Sequence, residues 1–231
     1  MRATWLTLQL SRVVSVQEVE ASTTWNEAMG LFTRNKTAKT APVAVLGAPD
    51  RDLSHLSGDY TIDPAHSRIG FAVRHAMVTN VRGQFAEYSG ALHIDGTNPA
   101  KSTAELVIKV ASVDTGNAQR DEHLRTGDFF EANAHPEITF RSTAAEQVGE
   151  STYRLSGDLT VKDTTQQVTL DLEFSGDAID VYGANRIGFE GGTTIDRRDW
   201  GLTYNAALET GGVLIGEKVK LILDISAVKD A

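Results

Sequence analysis

From residue 59 onward, apolar and polar side chains alternate along the chain. Ile69, Phe71 and Val73, for example, alternate with Arg68 and Arg74 at the edges of one such segment. Successive side chains of a strand point to opposite faces, so this pattern predicts strands with one apolar face. The apolar positions of the other segments are Leu92 and Ile94; Leu106, Ile108 and Val110; Ile138 and Phe140; Tyr153, Leu155, Leu159 and Val161; Val168, Leu170, Leu172 and Phe174; and Val219, Leu221, Leu223 and Ile225.

Turn-forming residues separate these segments. They are Asp95-Gly96, Asn98-Pro99, Val148-Gly149, Ser175-Gly176-Asp177 and Gly211-Gly212. Many short strands with few helical patterns between them predict an all-β, antiparallel barrel or sandwich.

One stretch interrupts the alternation. Residues 117–126 (NAQRDEHLRT) are polar helix formers, and Phe129 and Phe130 follow them in irregular chain. We expect a short surface helix here, which together with the aromatic loop caps one end of a barrel.

Residues 1–58 differ from the rest. The local signals near the start disagree: the spacing of Trp5 and Leu8 favours a helix, whereas a strand is favoured by Val13, Val14, Val16 and Val19. Residues 33–56 have the composition of a linker. We therefore divide the chain into a largely unstructured leader, 1–58, and a β domain, 59–231. The leader has no sustained apolar run typical of a signal peptide, which predicts a cytoplasmic protein, or an exported one if the leader is cleaved.

Charge and composition exclude several classes of protein. The net charge is −9, of which −10 lies on residues 59–231 and +1 on the leader. Nucleic-acid binding needs clustered Lys and Arg, so we expect no nucleic-acid partner. The absence of cysteine excludes disulfides, thiolate metal sites and a cysteine nucleophile.

The candidate chemistry lies in histidines and in one charged cluster. No nucleophile elbow, dinucleotide fingerprint or zinc-protease helix occurs. His66, His75 and His123 define an alternative function, a metal-assisted hydrolase, but no histidines pair at helical spacing, so structural roles are favoured. The charged cluster has two interpretations: its side chains pair internally to order the loop, or they form an anion-facing rim. The cluster comprises Arg120, Asp121, His123, Arg125 and Asp128.

The apolar faces leave a second choice open. Periodicity does not separate a packed core from a ligand cavity, and a barrel of about eight strands allows either. A third function is therefore a structural or interaction module with a filled core.

The order and spacing of several segments resemble the YceI-like family of lipocalin-like polyisoprenoid-binding proteins. The resemblance covers residues 59–229. The matching segments are YTIDPAHS at 60–67, IGFAVRH at 69–75, GQF at 83–85, SVDTG at 112–116, RDEHL at 120–124, DFF at 128–130, HPEITF at 135–140 and GDLTV at 157–161. The turn at residues 162–165 (KDTT) departs from the family pattern.

The resemblance implies an extended, eight-stranded antiparallel barrel, open at one end, whose apolar tunnel sequesters or transports a long-chain isoprenoid or similar lipid. It implies no catalytic activity and no cofactor, and it suggests a role in the stress response. A homodimer and transient membrane contact are further expectations. The expected ligand-binding residues are Phe71, Val73, His75, Phe85, Leu92, Ile94, Leu106, Ile108, Val110, Arg120, His123, Phe129, Phe130, Ile138, Phe140, Leu155, Leu170, Leu172, Leu221 and Leu223, with His75, Arg120 and His123 either contacting a headgroup or bracing the loop.

Overall fold

The computed structural model describes residues 52–207 and 211–231. These residues form one antiparallel sheet of eleven strands with a single α-helix, α1 (Ala118–Arg125), and 3-10 helices at Ser54–Leu56, Pro99–Lys101, Val110–Ser112 and Arg197–Trp200. The strands are β1 (Gly58–Ile62), β2 (Arg68–His75), β3 (Thr79–Phe85), β4 (Tyr88–Ile94), β5 (Thr103–Lys109), β6 (Val113–Asp114), β7 (Glu137–Gln147), β8 (Thr152–Val161), β9 (Thr164–Ile179), β10 (Asn185–Asp196) and β11 (Ile215–Lys229).

The sheet closes into a barrel because several short strands lie end to end. Strands β1 and β2 follow one another along the same edge of β11, with Tyr60 opposite Lys229 and Arg68 opposite Asp224. Strands β4 and β3 pair with β1 and β2, and β5 and β6 pair with β4 and β3. Each of the pairs β1 and β2, β3 and β4, and β5 and β6 therefore occupies one strand position around the barrel. Together with β7 to β11 this gives eight positions, and the predicted eight-stranded antiparallel barrel is confirmed.

The predicted helix is also confirmed, and its boundary follows from local capping. The Asn117 side chain accepts a hydrogen bond of 3.0 Å from the Arg120 backbone N–H, which satisfies one of the free donors of the first turn. Thr126 ends the helix, and its hydroxyl donates to the His123 carbonyl at 2.8 Å.

Two local predictions are wrong, and four strands were not anticipated. Val110 does not continue β5 but begins a 3-10 helix, Val110–Ser112. The expected turn at residues 175–177 is a bulge within β9, where Gly176 pairs with Gly188 and Phe174 with Phe189. Strands β1, β3, β6 and β10 were not among the predicted segments, and in β10 the glycines obscure the alternation. The predicted leader lies outside the described residues except for 52–58.

Two clusters of buried apolar side chains occupy the interior. The larger cluster lies in the half of the barrel nearest α1. The smaller cluster lies at the opposite end, and it includes Leu53 and Leu56, which immediately precede β1. The smaller cluster comprises Leu53, Leu56, Tyr60, Phe174, Ile187 and Ala227. The last residues of the segment assigned to the leader thus pack with the barrel.

An ionic network holds the chain where it passes from β1 to β2. Asp63 accepts hydrogen bonds from Arg186 Nη1 at 2.6 Å and from the Ala65 N–H at 3.0 Å, and it lies 2.8 Å from His66 Nδ1. Arg186 also binds Asp180 at 2.8 Å. The hydrogen bonds from Arg186 and His66 lower the pKa of Asp63 to about 2.

This pKa predicts a specific loss of stability in acid. Because the pKa of Asp63 is lower in the folded chain than its ordinary value, its contribution is present above about pH 4 and is lost as the pH falls towards 2. We expect Asp63→Asn to lower the free energy of unfolding by about 1–2 kcal/mol at pH 7, with a difference from the wild type that shrinks towards pH 2. Chemical denaturation at several pH values measures this. Asp158→Asn, at an exposed position of β8, is the control, and a difference independent of pH would contradict the assignment.

Gly157 allows an aromatic ring to lie flat against the inside of the barrel. A Cβ at this position would lie 2.5 Å from the Phe140 ring and 2.5 Å from the Arg141 carbonyl oxygen. Phe140 therefore occupies the space that any larger residue at 157 would need.

We expect Gly157→Ala to lower the free energy of unfolding by about 1–3 kcal/mol, the usual cost of overpacking a core. Gly127→Ala is a matched control because its Cβ would meet no atom within 4 Å. Chemical denaturation compares the two variants, and equal stability would show that the Phe140 ring moves at little cost.

Candidate functional site

Two cavities lie inside the barrel, one towards each end. The larger has a volume of about 390 Å³ and lies near α1, and the smaller, of about 140 Å³, lies beside Leu53 and Leu56. Four side chains line both cavities: Leu106, Phe140, Leu170 and Leu223. These four residues, which we call the boundary residues, are all that the two linings share, so the cavities are successive parts of one apolar interior.

The alternation of the sequence produces this lining. On β5, Leu106 and Ile108 point inwards, whereas Glu105 and Lys109 are exposed and form ion pairs with the neighbouring strand β7. Those pairs, Arg141–Glu105 at 3.0 Å and Lys109–Glu137 at 2.5 Å, lie on the outer surface. Charge is thus kept outside and hydrocarbon inside along most of each strand.

The charged side chains in the lining differ between the two cavities. The smaller cavity is lined by residues of both signs, Asp95, Glu105 and Arg154. Among the described residues that line the larger cavity there is no Asp or Glu, but there are three arginines and two histidines. The arginines and histidines are Arg74, His75, Arg120, His123 and Arg197.

Arg197 is the most deeply placed of these cations, with 5% of its surface exposed. Its Nε donates to the Gly216 carbonyl at 3.0 Å, Nη1 donates to the Leu202 carbonyl, and Nη2 donates to the Ile215 carbonyl at 3.5 Å. Burial lowers the pKa of Arg197, but an arginine so placed remains protonated at neutral pH. The guanidinium therefore joins the turn after β10 to the start of β11 and leaves a positive charge beside the cavity.

The loop around α1 holds Arg120 in place. Arg120 Nε donates to the Thr115 hydroxyl at 2.7 Å, and Nη2 donates to the Thr115 carbonyl at 2.9 Å. Buried Asp121 accepts from the Thr115 N–H at 2.9 Å, and Arg125 Nε donates to the Ala111 carbonyl at 2.9 Å. The internally paired loop is thus present, and Arg120 nonetheless faces the larger cavity.

His123 belongs to an aromatic cluster at the same end. Its ring centroid lies 5.1 Å from that of Phe129 and 5.0 Å from that of Tyr204, and its Nε2 lies 2.7 Å from Asp128 Oδ2. Phe129 and Tyr204 are themselves 5.1 Å apart. The cluster packs the α1 loop against the segment that follows β10, and all three rings line the larger cavity.

The structure brings most of the predicted ligand-binding residues to the lining of the two cavities. Val110 is the exception: it is buried at 1% exposure in its 3-10 helix and lines neither cavity. The larger cavity receives Phe71, Val73, His75, Phe85, Ile108, Arg120, His123, Phe129, Phe130, Ile138 and Leu221, the smaller receives Leu92, Ile94, Leu155 and Leu172, and Leu106, Phe140, Leu170 and Leu223 are the boundary residues. Contact of these residues with a ligand stays a prediction.

The three histidines of the alternative hydrolase do not come together. His75 and His123 line the larger cavity, whereas His66 is exposed at the β1–β2 connection and bonds to Asp63. Within residues 52–207 and 211–231, no group of three or more His, Asp or Glu side chains is placed to hold a metal ion.

The sequence did not reveal the contribution of the segment after β10. Trp200, Leu202 and Tyr204 line the larger cavity, and their i, i+2 spacing is a signal that could have found them. Trp200 is anchored by its indole N–H, which donates to the Leu159 carbonyl at 3.0 Å. No such signal marks Arg197. The sequence does not distinguish it from its neighbour Arg198, and only the tertiary fold buries the first and exposes the second.

Arg197 and Arg141 offer a test of burial, since one arginine is buried and the other is exposed. Each buried carbonyl left without a donor costs about 1–3 kcal/mol, whereas an exposed ion pair contributes about 0–1 kcal/mol. We therefore expect Arg197→Ala to lower the free energy of unfolding much more than Arg141→Ala, because Arg141 and its partner Glu105 are exposed by 74% and 56%. Chemical denaturation of both variants measures this, and comparable losses would refute the bracing role of Arg197.

Three comparisons relate this chain to known proteins. The family described as "YceI-like domain" matches residues 60–227. A UPF0312 protein of Ectopseudomonas mendocina is 34% identical over 176 residues, covering 75% of this chain and 89% of that protein. The UPF0312 protein SAS2572 of Staphylococcus aureus is 38% identical over 168 residues, covering 70% and 92%.

Solved structures share the fold. BcnA of Burkholderia cenocepacia superposes with a TM-score of 0.64 at 23% identity, covering 71% of this chain and 98% of that one. The YceI protein of Campylobacter jejuni gives 0.59 at 28% identity, covering 68% and 90%. A polyisoprenoid-binding domain from Saccharophagus degradans gives 0.57 at 18% identity, covering 74% and 98%.

Proposed function

This chain belongs to the YceI-like family, and on that premise we propose that it binds the hydrocarbon tail of a long-chain isoprenoid or similar lipid inside its barrel. It acts by sequestering or carrying the lipid rather than by catalysis. The observation that carries the proposal is the apolar interior in which two cavities meet at Leu106, Phe140, Leu170 and Leu223.

The dimensions of the barrel suit an elongated ligand. Strand β9 has 16 residues, which is about 50 Å of extended chain and, at the usual barrel tilt, about 40 Å along the axis. Cavities placed in succession along such an axis favour a narrow chain over a compact molecule. The boundary residues would then contact the middle of the tail.

Burial of the tail provides enough free energy for binding. Each methylene removed from water contributes about 0.8 kcal/mol, so about twenty carbons nominally contribute about 16 kcal/mol. The ceiling for non-covalent binding is about 18–21 kcal/mol, so ordering of the chain and imperfect contact must offset much of this gain. Affinity would therefore come mainly from the tail.

Among the described residues, no helix is long and apolar enough to cross a membrane. The cytoplasmic location, the homodimer, the transient membrane contact and the stress-response role stay predictions from the sequence.

The first experiment is mass spectrometry of organic extracts from the purified full chain. We expect a copurified lipid with a long unbranched or prenyl chain. If no lipid copurifies and added long-chain prenyl alcohols fail to displace an apolar fluorescent probe, the proposal is wrong.

A variant that fills the cavity tests the site itself. Ile108 is 6% exposed and lines the larger cavity, so Ile108→Trp should occupy the path of the tail and weaken lipid binding at least about tenfold, the effect of about 1.4 kcal/mol. Ile179→Trp is the matched control, because Ile179 is 72% exposed at the end of β9. Circular dichroism establishes that both variants fold, and Leu221→Phe replaces Ile108→Trp if that variant does not. Unchanged binding in a folded cavity variant would place the lipid elsewhere.

A further inference from the structure

We propose that the turn between β2 and β3 is the surface through which this protein docks on a membrane that contains anionic lipids. Met77 and Val78, which we call the β2–β3 tip, would enter the apolar edge of the lipid layer. The exposed cations behind the tip, Arg74, Arg82 and Lys220, would lie at the level of the lipid headgroups. The inference builds on the proposed function, because a long-chain lipid has to leave a membrane before it can enter a barrel.

The β2–β3 tip exposes two apolar side chains to water. Met77 is 64% exposed and Val78 is 75% exposed. The chain reverses through Ala76 and Met77, whose φ angles are 48° and 61°, and the Val78 N–H donates to the His75 carbonyl at 3.0 Å. A turn with two positive φ angles favours Asn or Gly, which adopt this backbone with less strain than other residues. The turn itself therefore does not account for an apolar side chain at position 77.

The strands behind the tip carry positive charge on their outer face. Ala72 of β2 lies opposite Arg82 of β3 on one side and opposite Lys220 of β11 on the other, so the two cations share one row of the sheet. Arg74 is two residues from Ala72 on the same strand, and its Nη1 donates to the Val78 carbonyl at 3.3 Å. All three cations are exposed, and within the described residues none of them makes an ion pair.

The charge of this hairpin is opposite to that of the domain. Residues 68–85, from the start of β2 to the end of β3, contain three arginines and no Asp or Glu. Residues 59–231 as a whole carry a net charge of −10. An anionic lipid surface would therefore attract this hairpin and repel most of the remaining surface, which favours one orientation of the barrel on the membrane.

The carboxylates of the two neighbouring strands do not cancel this charge. Strand β11 contributes Glu217 and Asp224, and β6 contributes Asp114. Glu217 binds Arg198 at 2.8 Å, and the other two lie beside the end of the hairpin that is remote from the tip. At physiological ionic strength exposed charges interact over about 8 Å, so the acidic residues farther along the barrel have little effect at the tip.

A second apolar tip shows that exposure alone does not identify the docking surface. Ile179, Val181 and Tyr182, between β9 and β10, are exposed by 72%, 92% and 91%. We call these three residues the β9–β10 tip. Asp177 and Asp180 flank them in the sequence, so an anionic membrane would repel this turn. The β9–β10 tip therefore serves as the matched control.

The larger cavity reaches the β2–β3 tip. His75 is the last residue of β2, and the Leu214 carbonyl accepts a hydrogen bond of 2.7 Å from the Ala76 N–H. His75 and Leu214 both line the larger cavity, and so does Arg74, which is also exposed. The cavity lining and the protein surface thus meet beside the tip. Docking there would hold this end of the cavity against the lipid layer, so that a hydrocarbon tail could pass between them with little exposure to water.

Binding to lipid vesicles tests the docking surface directly. The full chain is mixed at about 0.15 M ionic strength with vesicles of phosphatidylcholine alone or of phosphatidylcholine and phosphatidylglycerol in equal amounts, and the bound fraction is measured by co-sedimentation. We expect at least about tenfold stronger binding to the anionic vesicles, because each Lys or Arg near such a surface contributes about fivefold. Equal binding to both kinds of vesicle, or binding to neither, overturns the proposal.

Matched substitutions at the two turns assign the binding to one of them. Met77→Glu removes an apolar side chain from the lipid layer and adds a repelled charge, so it should weaken binding to the anionic vesicles at least about tenfold. Val181→Glu makes the same kind of change at the β9–β10 tip and should alter binding less than about twofold. Circular dichroism checks that both variants fold, and Val78→Glu replaces Met77→Glu if that variant does not. Equal losses at the two turns, or no loss at the β2–β3 tip, contradict the assignment.

Neutral substitutions measure the contribution of the cations. Arg82 and Lys220 line neither cavity, and Arg82→Gln and Lys220→Gln should each weaken binding to the anionic vesicles about fivefold. Lys101→Gln is the control, because Lys101 is exposed next to Ser102, which lines the smaller cavity at the opposite end of the barrel. A loss as large for Lys101→Gln would show a general effect of net charge and overturn the docking surface.

The outcomes separate this inference from the proposed function. The affinity for a long-chain prenyl alcohol without vesicles is measured for each variant by displacement of an apolar fluorescent probe. A chain that binds the alcohol but no vesicles overturns the docking surface while the proposed function stands, and the reverse result overturns the proposed function. If Met77→Glu dissociates a dimer in analytical ultracentrifugation and leaves vesicle binding unchanged, the tip contacts a second copy of the chain and the membrane proposal is wrong.

Discussion

Strand β11 forms backbone hydrogen bonds along both of its edges, and the closed barrel depends on this. On one side it pairs with β10 from Arg186–Val228 to Asp196–Lys218, and on the other with β2 and then β1. Closure removes the open strand edges of a sheet and leaves an interior for apolar side chains. The sequence has no cysteine, so no disulfide reinforces the barrel. An interior that contains cavities loses packing, and continuous pairing around the barrel offsets that loss.

The candidate site exists because the pairing is interrupted at one place. Strand β5 pairs with β7 only as far as Lys109, opposite Glu137, and β6 then pairs with β3. The chain between β6 and β7 leaves the sheet and contributes α1, the Phe129–Phe130 loop and Arg120. The same interruption that removes Val110 from the lining therefore brings polar and aromatic groups to one end of an otherwise apolar interior.

In the proposed binding, the apolar volume of the interior has one task and the buried arginine beside it has another, structural one. The boundary residues and their neighbours remove a tail from water, which accounts for most of the affinity. Arg197, which also lines the larger cavity, donates to backbone carbonyls that join the turn after β10 to the start of β11. An acidic outer surface is compatible with an apolar interior, since an ion pair of the outer face such as Lys109–Glu137 lines neither cavity.

The sequence alone determined seven of the strands, the helix and most of the lining. A period of two assigns each residue to a face without any knowledge of its neighbours, which is why Phe71, Ile108 and Leu170 were placed correctly in the interior. Where glycines interrupt that period, as in β10, or form a bulge, as at Gly176, the local signal fails. Only the tertiary structure decided which of two adjacent arginines, Arg197 or Arg198, turns inwards. That choice depends on the distant carbonyls of Leu202, Ile215 and Gly216, which local sequence does not encode.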